Sequence, residues 1–212
     1  MSDIQDLISQ AFWIPIHHED VDWDLTCLKE EKNYRLSNHQ QRAKVNNKNV
    51  STYTKTLRIL EKYPELKNKI LDKFLDYLSA IGFDNLNCVI TTSWLTRLDK
   101  GQAVDPHCHQ NCMFSGILYY DDDYSDAPPL EFHNPFFSLN SFGVEPSEPN
   151  GFTSNFILTP RPKLLSFFPS YLAHSVQPTV SNIPRRSMAF NLHPIGFFGD
   201  GDSTLSTRWL NF

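Results

Sequence analysis

The fold class is decided by two runs of sequence, CVITTSWLTRL at residues 88–98 and MFSGILYY at residues 113–120. Both are rich in β-branched, aromatic and aliphatic residues, the composition of strands. Turn residues separate these runs from five others of the same kind: Leu130 to Phe132, Gly151 to Thr159, Lys163 to Phe168, Ala173 to Gln177 and Ser187 to His193. A succession of short strands is typical of a β-sandwich or a small barrel.

The first 80 residues have a different pattern, which predicts helices after a short opening segment at residues 12–16. Pro64 suits a first helical turn, and Gly82 suits the end of that helix. Between them, apolar residues recur every four positions and predict one buried stripe: Leu66, Ile70, Phe74 and Leu78. We interpret this stripe as core packing, and the polar residues 36–50 as a solvated connection.

We therefore predict one domain over residues 1–212, mainly β with N-terminal helices. A mostly helical part, 1–85, packs on the sheet, and residues 86–195 form a double-stranded β-helix, or jelly-roll, core flanked by helices. Residues 196–212 form a C-terminal tail.

Composition excludes some function classes. The formal charge of -5 gives no general attraction to phosphate backbones, so a nucleic-acid partner is disfavoured. No window approaches the roughly 18 apolar residues of a membrane span, and residues 1–12 lack the features of a secretory signal. We expect a cytoplasmic protein with no membrane partner.

Three histidines are candidate metal ligands. His107 and His109 form a His-x-His pair just before the run at 113–120, and alternate residues of an extended segment share a face. His174 lies in a distant strand-like stretch, so the three suit a facial site with open positions. Histidines at strand ends are also commonly hydrogen-bonded without a metal, and the residues alone leave that alternative open. His133 is a weaker candidate to line a pocket, and four others are interpreted as structural: His17, His18, His39 and His193.

A basic residue at a fixed offset supports the metal interpretation. Arg185 lies 11 residues after His174, and Ser187 shares its strand face two positions later. An arginine forms a planar, bidentate pair with a carboxylate, and a serine hydroxyl adds a donor. The neighbouring Arg186 is predicted to face the other way.

A Cys/His zinc site is a second possibility for this region. Cys108 and Cys112 have C-x3-C spacing with histidines interleaved, but no second cysteine pair follows. We rank this alternative well below a three-histidine site.

Six motifs follow one another between residues 88 and 193: His107-Cys108-His109-Gln110-Asn111, Ser115-Gly116-Ile117-Leu118-Tyr119-Tyr120, Leu130-Glu131-Phe132, Leu164-Leu165-Ser166-Phe167-Phe168-Pro169, His174-Ser175-Val176 and Arg185-x-Ser187-x-x-Phe190-Asn191. Their order and spacing resemble the 2-oxoglutarate and Fe(II) oxygenases related to prolyl hydroxylases, in particular an uncharacterised His-x-His branch. The resemblance implies a dioxygenase, most simply a hydroxylase, that couples oxidative decarboxylation of 2-oxoglutarate to oxidation of a substrate by O2.

The resemblance also implies residue roles. His107 takes the place of the first Fe(II) ligand and His174 that of the distal ligand. Arg185, Ser187 and Tyr119 take the places of residues that bind the far carboxylate of 2-oxoglutarate.

His109 is the departure from the family pattern, since most members have Asp or Glu at that position. A third imidazole would leave the metal more positive than a carboxylate would. Asp105 lies two residues before His107 and is an alternative source of the carboxylate. We rank His109 above it because the usual order has the histidine first.

Two other functions stay open from the sequence. One is a three-histidine dioxygenase that does not use 2-oxoglutarate, which the Arg185 and Ser187 pair disfavours. The other is a metal-binding jelly-roll module without catalysis. The substrate is not specified, and the loops at 121–129 and 136–150 are expected to rim its pocket for a peptide or a small molecule. Apolar pocket walls are predicted at Trp94, Phe114, Leu165, Phe167 and Phe190, with core packing as the open alternative for each.

Overall fold

The computed structural model describes residues 13–32, 34–36, 52–84, 86–110, 112–136, 147 and 153–208. Two helices are α1 (Thr26–Lys29) and α2 (Pro64–Ala80), and short 3₁₀ turns occur at Ile59–Lys62 and Gly201–Ser203. The strands are β1 (His17–Asp20), β2 (Tyr34–Leu36), β3 (Thr52–Thr54), β4 (Asn87–Leu98), β5 (Val104–His107), β6 (Phe114–Leu118), β7 (Leu130–His133), β8 (Asn155–Leu158), β9 (Leu164–Pro169), β10 (His174–Val176), β11 (Arg185–Ile195), β12 (Phe197–Phe198) and β13 (Leu205–Ser206). Four predicted features lie outside the described residues: the connection at 37–50, His39, most of the loop at 136–150 and the last four residues of the tail.

Eleven of the described strands form two antiparallel sheets, and β12 and β13 pair separately. One has seven strands in the order β1-β9-β6-β11-β4-β3-β2, and the other has four in the order β5-β10-β7-β8. From β4 to β7, and again from β8 to β11, consecutive strands alternate between the two sheets, as in a jelly roll. The predicted mainly β, jelly-roll fold class is confirmed.

Two apolar clusters hold the layers together. The first lies between the two sheets and includes Leu98, Ile117, Tyr119, Leu130, Phe132, Leu164, Phe168 and Val176. The second lies between the helices and the other face of the seven-stranded sheet, and includes Leu28, Ile70, Phe74, Leu118, Phe167, Met188 and Phe190. The seven-stranded sheet is therefore covered on both faces, and residues that alternate along its strands belong to different clusters.

The predicted helix at 64–81 is confirmed as α2. Pro64 occupies its first turn, and the apolar stripe faces the sheet, with Ile70 and Phe74 fully buried. Gly82 has φ +88° just after the helix, a conformation that favours glycine.

The expectation that residues 1–85 are mostly helical is wrong for the described part of that stretch. β1 pairs with β9, and β3 pairs with β4 and with β2, so all three strands extend the seven-stranded sheet. Each has three or four residues. Strands this short are stabilised by the partner strand, and their sequences are too short to show a clear alternation of apolar and polar residues.

The described helices include none that is long and apolar enough to cross a membrane. The division into one domain with a helical part, a core and a tail stays a prediction, although strands β4 to β11 span residues 87–195.

Candidate metal centre

The three predicted histidines meet where two strands of the smaller sheet pair. His107 is the last residue of β5, and His174 is the first residue of β10, directly opposite it in register. His109 follows β5 by two residues, and its backbone N–H donates to the carbonyl of Ser170 (3.0 Å). The candidate ligand nitrogens of these three side chains lie within 4.8 Å of one another, a spacing that a single metal ion can span.

Two of the imidazoles are oriented by backbone carbonyl groups. Nδ1 of His107 lies 2.9 Å from the carbonyl oxygen of Asp105, and Nδ1 of His174 lies 2.9 Å from that of Leu172. A carbonyl only accepts, so each Nδ1 carries the hydrogen and each Nε2 carries the lone pair that binds a metal.

His109 is oriented by side chains instead. Its Nδ1 lies 2.5 Å from Oδ1 of Asn191 and 3.0 Å from the hydroxyl of Ser115. The ring of Trp94 packs beside it, with ring centroids 5.7 Å apart.

Burial keeps the imidazoles of His109 and His174 neutral. Desolvation lowers the pKa of His109 to about 4, against an opposing contribution from its hydrogen bond to Asn191. Desolvation and the nearby His107 lower the pKa of His174 to about 3. Near pH 7 both rings are therefore unprotonated, the state that a metal requires of its ligands.

The two alternatives to this ligand set find less support. Asp105 is exposed and lies outside the group of convergent ligand atoms in the described part of the chain. Cys108 is also exposed, and neither it nor Cys112 joins that group.

A pair of substitutions tests the third ligand. His109→Ala is expected to weaken Fe(II) binding at least about 100-fold, because losing a direct ligand costs more than losing an outer hydrogen-bond partner. Asp105→Asn is expected to leave it within about threefold, since only the backbone of Asp105 contacts a candidate ligand. Anaerobic titration of both variants measures the affinities. The reverse ranking would move the third ligand to Asp105.

The predicted anion-binding residues lie on the larger sheet, on the face toward the smaller one. Arg185 begins β11, and its Nη2 donates to the hydroxyl of Tyr119 (2.6 Å) while its Nε donates to the carbonyl of Pro128 (3.1 Å). Ser187 lies two residues along β11, with its hydroxyl 2.7 Å from that of Thr96. Side chains of Arg185, Ser187 and Tyr119 are almost completely buried.

Arg185 differs from its neighbour in its charge partner. Arg186 points to the other face, as predicted, and makes a two-pronged ion pair with the carboxylate of Asp121 (2.6 and 2.9 Å). Among the described residues, no carboxylate lies within ion-pair distance of Arg185. A buried cation without an anion is costly, so this site suits an anionic ligand.

Burial also raises the pKa of Tyr119, so its hydroxyl stays protonated. Because this oxygen already accepts from Arg185, its own hydrogen can be donated to a ligand oxygen.

Most of the predicted pocket walls are elsewhere. Trp94 contacts His109, but the other four belong to the helix-side cluster: Phe114, Leu165, Phe167 and Phe190. His133, considered as a pocket residue, bonds through its two ring nitrogens to Asn155 and Ser175. Sequence reasoning assigned no role to Asn191 or Ser115, although both stand in the quoted motifs.

Comparison with known proteins agrees with this geometry. Residues 92–191 match the family model described as "Putative 2OG-Fe(II) oxygenase". No curated protein matches the chain.

Solved structures share the fold at low sequence identity. A prolyl-4-hydroxylase of Pseudomonas putida superposes with a TM-score of 0.53 at 13% identity, covering 84% of this chain and 92% of that one. The epimerase SnoN of nogalamycin biosynthesis, in complex with Fe3+, alpha-ketoglutarate and nogalamycin RO, gives 0.55 at 11% identity over 84% and 78%. A Trichoplax adhaerens prolyl hydroxylase in complex with a hypoxia inducible factor peptide fragment gives 0.51 at 12% identity over 80% and 74%.

Proposed function

We propose that this chain is a 2-oxoglutarate/Fe(II) oxygenase, the family whose model matches residues 92–191, and that its Fe(II) ligands are His107, His109 and His174. The observation that carries the proposal is the convergence of three imidazole nitrogens within 4.8 Å. The donor set fits the metal, because neutral imidazoles suit Fe(II) and three of them leave positions open. Bound together, Fe(II) and 2-oxoglutarate supply the oxidising chemistry of this family, in which O2 is consumed, 2-oxoglutarate becomes succinate and carbon dioxide, and a substrate is oxidised.

Arg185, Ser187 and Tyr119 bind the far carboxylate of 2-oxoglutarate in this proposal. The buried guanidinium lacks an acidic partner in the described chain, and the hydroxyl of Tyr119 lies 2.6 Å from it. A carboxylate there would gain charge-assisted hydrogen bonds in a site that water scarcely reaches.

Strand β11 connects the two ends of the proposed site. Arg185, Ser187 and Asn191 occupy alternate positions of the strand and share the face between the sheets. Asn191 contacts His109 at the metal end, while Arg185 marks the other end. Between them, Ala189 pairs with Trp94 of β4, so a small side chain and one aromatic ring line the path.

The substrate reaches the metal from the strand ends beside His109. Met113 directly precedes β6 and Tyr171 follows β9, with exposed fractions of 48% and 63%. Both are held close to the metal end, since Ser170 bonds to the backbone of both His109 and Met113. Among the similar folds, one complex holds a peptide fragment and another holds nogalamycin RO, and we propose for this chain a peptide or small-molecule substrate with an apolar part.

Adding 2-oxoglutarate to the Fe(II)-loaded protein without oxygen is expected to produce a weak visible charge-transfer band. Fe(II) can donate an electron to a chelating keto acid, whereas Zn(II) is not redox-active and should give no band. Anaerobic absorption spectra measure it, and admitting O2 should then yield succinate.

Two results would contradict the proposal in different ways. A protein that binds Fe(II) but gives neither band nor succinate would be a metal-binding module. A protein that binds Fe(II) and oxidises a substrate without 2-oxoglutarate would be a three-histidine dioxygenase.

A further inference from the structure

The Nδ1 of His109 bonds to another side chain. Backbone carbonyl groups hold His107 and His174, so no substitution can remove those acceptors without moving the strand. The acceptor for His109 is the amide oxygen of Asn191, at 2.5 Å. This contact joins the smaller sheet, which provides the ligands, to β11 of the larger sheet.

The amide of Asn191 is held by the strands on both sides of β11. Its cross-strand partners are Thr92 on β4 and Ser115 on β6. Nδ2 of Asn191 donates to the hydroxyl of Thr92 (2.9 Å), and the hydroxyl of Ser115 donates to Oδ1 (3.0 Å). A register shift of the β11–β4 pairing falls just after Asn191, and such irregularities often re-aim a side chain beside an active site.

The orientation of this amide decides which ring nitrogen of His109 faces the metal. With Oδ1 toward the ring, Nδ1 carries the hydrogen and Nε2 offers a lone pair. If the amide were flipped, its Nδ2 would donate to Nδ1 of His109. The ring hydrogen would then be on Nε2, and that nitrogen could not bind a metal. In the structure the first orientation is present, with Oδ1 toward the ring, Nδ2 donating to Thr92 and Ser115 donating to Oδ1.

We propose that Asn191 is a positioning residue that holds His109 as an Nε2 ligand. The inference rests on the ligand set of the proposed function. It adds Asn191 as the residue that allows a histidine to serve where most family members have a carboxylate. A carboxylate needs no tautomer to be chosen, whereas a third imidazole does.

Asn191→Leu, which keeps the side-chain volume but removes the acceptor, is expected to weaken Co(II) binding about 10- to 100-fold, the usual cost of losing an outer partner of a metal-bound histidine. Asn191→Asp keeps an acceptor oxygen and is expected to recover most of the affinity. Absorption titration with Co(II) measures both variants, and thermal unfolding of the metal-free forms checks that each folds.

Asn155→Leu is the matched control. Asn155 accepts from Nδ1 of His133 (3.0 Å), an imidazole–amide contact of the same kind at a histidine outside the metal group. Its replacement is expected to leave Co(II) affinity within about twofold of the parent.

Two readouts separate positioning from general stability. In metal-free protein, nitrogen chemical shifts of the His109 ring are expected to report the Nδ1–H tautomer in the parent and a shift toward the other tautomer in Asn191→Leu. In a His109→Ala background, adding Asn191→Leu is expected to cost no further affinity. The inference is overturned if Asn191→Leu binds Co(II) as tightly as the parent, or if it lowers Co(II) affinity as much in the His109→Ala background as in the parent. Either result leaves the ligand set intact. A parent protein that binds no Co(II) overturns the ligand set and this inference together.

Discussion

Replacing His107 and His174 together with alanine is expected to abolish stoichiometric Fe(II) binding. The two residues face each other across the β5–β10 pair and supply two of the three convergent nitrogens. Since losing one outer partner already costs about 10- to 100-fold, losing two direct ligands should cost at least about a thousandfold. Elemental analysis and anaerobic titration after reconstitution measure the loss.

The control removes two imidazoles that lie outside the metal group. His18 is exposed, and Nδ1 of His193 lies 2.6 Å from the carbonyl oxygen of Pro194. The His18→Ala, His193→Ala protein is expected to bind one Fe(II) per chain with parent-like affinity. Retained binding in the His107→Ala, His174→Ala protein would contradict the assigned centre.

The parts of the fold that the sequence predicted well are those whose signal is local. The stripe through Leu66, Ile70 and Phe74 lies on one face of one helix, and its spacing alone identifies α2. The longer strands were found from composition. The N-terminal strands were not, because β1 and β3 form only against β9 and β4, which lie far along the chain.

The faces of the larger sheet could not be assigned from the sequence. A strand that is half exposed alternates apolar and polar residues, and that alternation reveals the buried face. Here α2 covers one face and the smaller sheet covers the other, so β6 and β9 are buried throughout. Phe114 and Phe167 were therefore predicted as pocket walls, although they pack against the helix.

The candidate site shows the same division between local and distant signals. The spacing of His107 and His109 predicted that their side chains share a face. The family resemblance then implied that His174 lies near them, and the β5–β10 register gives the structural reason. The contact of Asn191 with His109 crosses from one sheet to the other over 82 residues of sequence. Rules based on the spacing of nearby residues do not predict a contact between residues that far apart in sequence.

Arg185→Leu is expected to remove most of the affinity for 2-oxoglutarate while leaving Fe(II) binding unchanged. The guanidinium lies at the opposite end of the β11 face from the candidate ligands and bonds to Tyr119 and Pro128. Its loss removes charge-assisted contacts and strands a buried carboxylate, at about 2 to 5 kcal/mol, or about 30-fold to several thousand-fold in affinity.

Three further variants define the role of Arg185. Lysine at this position is expected to rescue binding only in part, because a point charge cannot reproduce the planar fork. Arg186→Leu is expected to keep 2-oxoglutarate affinity but to lower stability, since it leaves the buried carboxylate of Asp121 without its ion-pair partner. Arg97→Leu, which breaks only an exposed pair with Asp99, should change neither.

The measurement is the anaerobic titration of the visible charge-transfer band in Fe(II)-loaded parent and variants, with thermal unfolding in parallel. The expected pattern has a band that saturates at the same 2-oxoglutarate concentration in the parent and in Arg97→Leu, at a higher one in the lysine variant and at the highest, if at all, in Arg185→Leu. If Arg185→Leu bound 2-oxoglutarate as tightly as the parent, the buried guanidinium would be structural. The co-substrate would then have to be held by other residues, because the cation that binds a buried dicarboxylate cannot be dispensable.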